Sequence, residues 1–100
     1  MNGPSLEYIE RFRRTLRITN TSFDGEIEDL IGAAREDLIL AGVDSEKAYD
    51  EDDALIRMAV ATYIKAEFGF ETDNADKYRE SYWDQKVRLL YADEYLAGKD

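Results

Sequence analysis

The side chains best suited to chemistry in this 100-residue chain are its 23 carboxylates. Four stand together as Asp50-Glu51-Asp52-Asp53, a run that invites a divalent-cation reading. A calcium loop of the EF-hand type needs ligands at alternating positions, a central glycine that turns the chain and a closing glutamate. The run has no glycine at the required place. It therefore reads as the acid-rich start of a helix, where negative charge meets the positive end of the helix dipole. Paired carboxylates for glycosidic-bond cleavage need one acid whose pKa is lifted by an apolar cleft. No pair among the 23 is singled out by its spacing.

The other catalytic residue types are scarce or isolated. The chain has no histidine and no cysteine. The commonest general base, the imidazole metal ligand, the thiolate nucleophile and the disulfide are all removed with them. Ser5, Ser22, Ser45 and Ser81 have no imidazole to activate them, and the lysines form no alternative motif. Gly25, Gly32, Gly42 and Gly69 stand apart, so no glycine-rich phosphate loop is present. The reading is a protein with no catalytic residues, no cofactor and no metal. No apolar run is long enough to span a bilayer, and the N-terminus lacks a signal-peptide pattern. The expected setting is cytosolic, with no membrane partner.

Binding is the remaining class. The formal net charge is −10, and its distribution is uneven. Residues 1–20 hold four arginines against two acids, a balance of +2, whereas the rest holds nine cations against 21 acids, a balance of −12. An acidic protein repels DNA rather than gripping it. Any basic contact falls to Arg11, Arg13, Arg14 and Arg17, which either meet phosphate or an acidic partner or form a solvated face. A basic end and an acidic body suggest head-to-tail association of copies. A second candidate interface lies near the C-terminus, in Tyr82, Trp83, Tyr91 and Tyr95. Seven tyrosines is a high count for this length. Such rings serve interfaces as readily as cores.

Helices must position these residues. The only proline is Pro4, and no stretch keeps the period-two alternation of a strand. A first helix is expected from about Ser5 to Leu16, with Leu6, Ile9, Phe12 and Leu16 on one face. The polar stretch Thr19-Asn20-Thr21-Ser22 interrupts it. A second helix runs from about Phe23 to Ala41 along Phe23, Ile27, Leu30, Ile31, Ala34, Leu38 and Ala41, and Gly42 ends it as a left-handed cap. A third begins in the acidic run and passes through Leu55, Ile56, Ala59, Val60, Tyr63 and Ile64 to Phe68, with Gly69 as its cap. A fourth runs from Asp73 or Asn74 to about Leu96, with Trp83, Val87, Leu90, Tyr91 and Leu96 as its stripe. The expectation is one all-α domain over residues 1–100, a bundle of about four helices. Helices two to four form its core, and the first is read as an arm.

Particular runs in these segments carry a resemblance. They are Leu16-Arg17-Ile18-Thr19, Phe23-Asp24, Ile27-Glu28-Asp29-Leu30-Ile31-Gly32-Ala33-Ala34-Arg35, and Ala54-Leu55-Ile56-Arg57-Met58-Ala59-Val60-Ala61-Thr62-Tyr63-Ile64-Lys65-Ala66. Phe68-Gly69-Phe70 and the stretch from Tyr78 to Leu89 complete the set. In order, from about Leu6 to Leu90, they resemble the phage head–tail connector (head-completion adaptor) family. The resemblance implies a structural virion protein, without enzymatic activity or cofactor, made in the host cytoplasm and placed at the head–tail interface. It implies a self-assembled ring, usually of twelve copies, beneath the portal protein. That ring extends the DNA channel, which DNA passes without specific binding, and docks the next head–tail joining or tail-completion protein. An acidic balance suits such a channel, because negative walls do not hold passing DNA.

Charge alone also permits an acidic regulatory protein, such as a DNA mimic that blocks a nucleic-acid-binding partner. A dimeric helical scaffold is a third reading.

Overall fold

The computed structural model describes residues 3–68 and 74–98. Its helices are α1 (Leu6–Thr15), α2 (Asp24–Ala41), the short α3 (Ser45–Ala48), α4 (Ala54–Glu67) and α5 (Ala75–Leu90), followed by a 3-10 turn at Asp93–Tyr95. The Gly69 cap expected after the third helix lies outside the described residues.

Local chemistry sets where these helices start and stop. Ser5 opens α1 by accepting the Tyr8 N–H on its hydroxyl, at 3.1 Å. The Asp53 carboxylate accepts the Ile56 N–H at 3.0 Å and opens α4. Each bond satisfies a backbone donor that the first turn leaves unpaired. The acidic run is thus built into a turn and a cap, with Asp50 also accepting the Asp52 N–H at 3.0 Å. Gly42 closes α2 at φ +120°, and the Val43 N–H turns back to the Leu38 carbonyl at 2.9 Å. The end of α1 uses the same device without glycine. Arg17 takes φ +60°, and the Ile18 N–H reaches the Arg13 carbonyl at 3.0 Å.

The core lies where α2 and α4 face each other. Ile27, Ile31, Ala34 and Leu38 meet Ile56, Ala59, Val60 and Ile64, all fully buried. Helix α4 packs against both α2 and α5, the central place its wide apolar arc predicts. The whole is a flattened body of 43 × 30 × 19 Å.

Three features differ from the sequence reading. The first helix is not an arm. It lies against α2 and buries Tyr8, Ile9 and Phe12, and the Tyr8 and Phe12 rings meet edge to face at 4.7 Å. Its buried face is rotated toward Tyr8, which leaves Leu6 in solvent. The last helix stops at Leu90 rather than near Leu96, because the chain beyond has bonds to make elsewhere. The Asp44 N–H reaches the Tyr95 carbonyl at 2.7 Å, the Ala97 N–H reaches Gly42 at 2.9 Å, and Val43 pairs with Leu96. This tail is tied to the α2–α3 connection. Helix α3 was not expected at all. It is a single turn capped by the Asp44 carboxylate on the Lys47 N–H, at 3.3 Å.

Candidate interaction surfaces

The first-helix arginines divide into bound and free. Arg13 meets Asp24 at the start of α2 in a two-pronged bond, Nε to Oδ1 at 3.0 Å and a terminal nitrogen to Oδ2 at 2.7 Å. That bond holds the Asp24 carboxyl below the usual carboxylate range. Such a fork has fixed geometry, and here it fastens α1 to α2. Arg14 pairs with Glu10 one turn back, at 2.6 Å, in solvent. Arg11 and Arg17 are exposed and have no carboxylate partner among the described residues. Arg11 and Arg14 also line a polar cleft with Glu7, Tyr8, Glu10, Glu51 and Asp52.

The aromatic set divides in the same way. Tyr82 is buried, and its hydroxyl donates to Asp37 at 2.6 Å. Lys86 donates to the same oxygen at 3.0 Å. Burial opposes ionisation of Asp37, but these two bonds outweigh it and hold the carboxyl below its ordinary range. Tyr95 is buried too, with its hydroxyl against both oxygens of Asp53 at 2.9 and 3.1 Å. Burial and that carboxylate push its phenol up to about 12. Both tyrosines therefore serve the subunit's own packing. Trp83 and Tyr91 face outward, 61% and 86% exposed, with the Lys86 ammonium 4.7 Å from the Trp83 ring. The structure thus does not gather the eight candidates into one surface. Arg11, Arg17, Trp83 and Tyr91 are exposed, Arg14 is exposed but paired with Glu10, and Arg13, Tyr82 and Tyr95 are used internally.

Two arrangements escaped the sequence reading. Arg35 of α2 is only 2% exposed. Its guanidinium lies between the rings of Tyr49 and Tyr8, at 4.6 and 5.2 Å, and reaches Glu51 at 3.4 Å. Glu51 also accepts the Ser5 N–H at 2.9 Å and the Ser5 hydroxyl at 2.5 Å. Burial raises the Glu51 pKa, but the Ser5 bonds and Arg35 lower it further, so it stays ionised below the usual range. One carboxylate thereby joins the start of α1, the middle of α2 and the approach to α4. Burial pushes the Tyr8 phenol up to about 12, with Arg35 pulling it back only in part. The signal was present in the sequence, because position 35 falls on the same arc as Ile31, Ala34 and Leu38. A cation on a core stripe announces a buried charge that needs an acid. The second arrangement is an apolar groove between α4 and α5, lined by Leu55, Met58, Gln85, Arg88, Leu89 and Ala92. Leu55 and Met58 are about half exposed there. A groove between two helices depends on their relative placement, which one stripe does not reveal.

No group of histidine, cysteine or carboxylate side chains among the described residues is arranged to hold a metal ion. No helix among them is long and apolar enough to cross a membrane. No curated protein and no solved structure matches the chain. The family model described as Phage connector protein matches residues 9–96. That span runs from the buried Ile9 of α1 to Leu96, which pairs with Val43, and so takes in every helix of the fold. The family is structural and is not a known enzyme family. The chain belongs to the phage connector protein family.

Proposed function

We propose that this protein is a head–tail connector subunit that forms a ring beneath the portal protein, extends the DNA channel and docks the next head–tail joining or tail-completion protein. The observation that carries the reading is the family match over residues 9–96. Surface electrostatics support it. The free acids of the body far outnumber the free cations, so DNA passing through a ring of such subunits meets repulsion and is not retained. The ring holds twelve copies, and the protein is a virion component assembled in the host cytoplasm. Docking falls to the side chains the fold leaves exposed, Arg11, Arg17, Trp83 and Tyr91.

The test is genetic. Removing the gene from the phage that carries it leaves heads that package DNA, lose it and bear no tails. Infectious, tailed particles made without the protein contradict the proposal. Reversal of Arg11 and Arg17 to glutamate in the intact chain weakens docking without lowering the melting temperature, since neither side chain has an ion pair among the described residues. Reversal of Arg13 is uninformative about docking, because it breaks the bond to Asp24 inside the subunit.

A further inference from the structure

The α4–α5 groove and the outer ridge of α2 have complementary shape and charge, and we infer that they form the subunit–subunit contact, with Leu40 of one copy seated in the groove of the next. This rests on the ring reading and adds to it which faces meet. The groove is lined by Leu55, Met58, Leu89 and Ala92, together with Gln85 and Arg88. Arg88 is exposed and has no carboxylate partner among the described residues. The groove therefore presents a hollow apolar surface beside an uncompensated positive charge.

The matching surface lies on the other face of α2 from its core stripe. Asp29, Ala33, Glu36 and Leu40 recur at spacings of four, three and four, so they form one ridge, and all four are exposed. Leu40 is 85% exposed, a projecting apolar side chain with no cover. Among the described residues, neither Asp29 nor Glu36 pairs with a cation, and Glu36 accepts a hydrogen bond from the Tyr49 hydroxyl at 3.4 Å. A projecting leucine flanked by free acids fits a hollow flanked by a free arginine. The other exposed apolar side chains fit less well. Leu6 shares its face with Glu10 and Arg14, already paired with each other, and with Arg13, already paired with Asp24, so that face offers Arg88 no unpaired acid. Trp83 lies under Lys86, and Tyr91 belongs to the groove's own helix end. Ridge and groove are different patches, so the contact is heterologous. Repeating such a contact builds a ring, rather than a dimer, when its rotation closes.

The experiment uses the full chain with Glu36→Lys, Arg88→Glu, Leu40→Asp and Leu6→Asp single variants, and the Glu36→Lys/Arg88→Glu double variant. Self-association is followed by sedimentation velocity up to about 1 mM, and ring formation on isolated portal by electron microscopy. Each single change at 36, 40 or 88 is expected to weaken association at least about tenfold, the scale of one lost charge contact. The double variant restores it to within about threefold of the unaltered chain, because positions 36 and 88 again carry opposite charges. Leu6→Asp is without effect, and melting temperatures stay within a few degrees. Rings that form normally in all three single variants, a double variant that is not rescued, or a loss caused by Leu6→Asp instead of Leu40→Asp each overturn the assignment of faces while leaving the ring reading intact. An unaltered chain that forms no ring either alone or on portal defeats the ring reading itself, and this contact with it.

Discussion

At the scale of single residues, Arg35 is the side chain most sensitive to substitution. A buried guanidinium is tolerable only with compensation, here Glu51 and the faces of Tyr8 and Tyr49. Arg35→Ala removes the charge and leaves a cavity, and should lower stability by about 3–5 kcal/mol in urea unfolding. Arg35→Met keeps most of the volume without the charge and should lose no more than about 2 kcal/mol. Equal losses would mean that charge, not volume, dominates at this position. The titrating groups give a second prediction with a definite sign. Tyr8 and Tyr95 have folded-state values near 12, above the ordinary phenol value, and Tyr82 moves the same way. An acid whose folded pKa is raised adds stability below its unfolded pKa, and that stability is lost as pH rises through the folded value. Melting temperature should therefore fall from about pH 10 to pH 12, and phenolate absorbance from these three rings should rise only with unfolding. Asp37 and Glu51 act in the opposite sense. Their folded values are lowered, so their contribution is complete above about pH 4 and disappears in more acid solution. Phenolate formation by all seven tyrosines with the ordinary midpoint, in the folded chain, would contradict the placement of Tyr8, Tyr82 and Tyr95.

At the scale of elements, what the sequence disclosed was periodicity and punctuation. The stripes of α2 and α4 repeat every three to four residues over long spans, and a core of two facing stripes follows from them. Gly42 was legible as the end of α2, since only glycine takes φ +120° without strain. Gly42→Ala should cost about 1–2 kcal/mol, because the new Cβ takes the disfavoured conformation and sits 3.4 Å from Leu90. Arg17→Gly, at the other left-handed cap, should stabilise by about 0.5–1 kcal/mol, read as a rise in the urea midpoint. If Gly42→Ala proves neutral, the α2 cap is misplaced. Short or long-range features were not legible. One turn of α3 has no room for a period, and the tail's bonds to residues 42–44 join positions about fifty apart. The expected stripe of the last helix runs past Leu90 through Tyr91 and Leu96, which the structure places beyond its end. Tyr95 instead turns inward to Asp53. The arginines of α1 suggested an arm, yet Arg13 serves to hold that helix against α2. For the candidate surfaces, residue type identified rings and cations able to bind, and only the fold separated Trp83 and Tyr91 from Tyr82 and Tyr95.

At the scale of the whole molecule, a net charge of −10 on 100 residues opposes non-specific association of copies. The flattened body is 19 Å in its shortest dimension, and a core this small would gain stability from any partner that covers its faces. Family membership, uncovered apolar side chains and exposed charges support the connector function proposed above. The most direct test of that account is electron microscopy of isolated portal incubated with the purified chain. The account predicts an added ring on one face of the portal, with its axial channel continuous with the portal's. Portal particles indistinguishable from those without the protein, with the chain remaining free in solution, would contradict it.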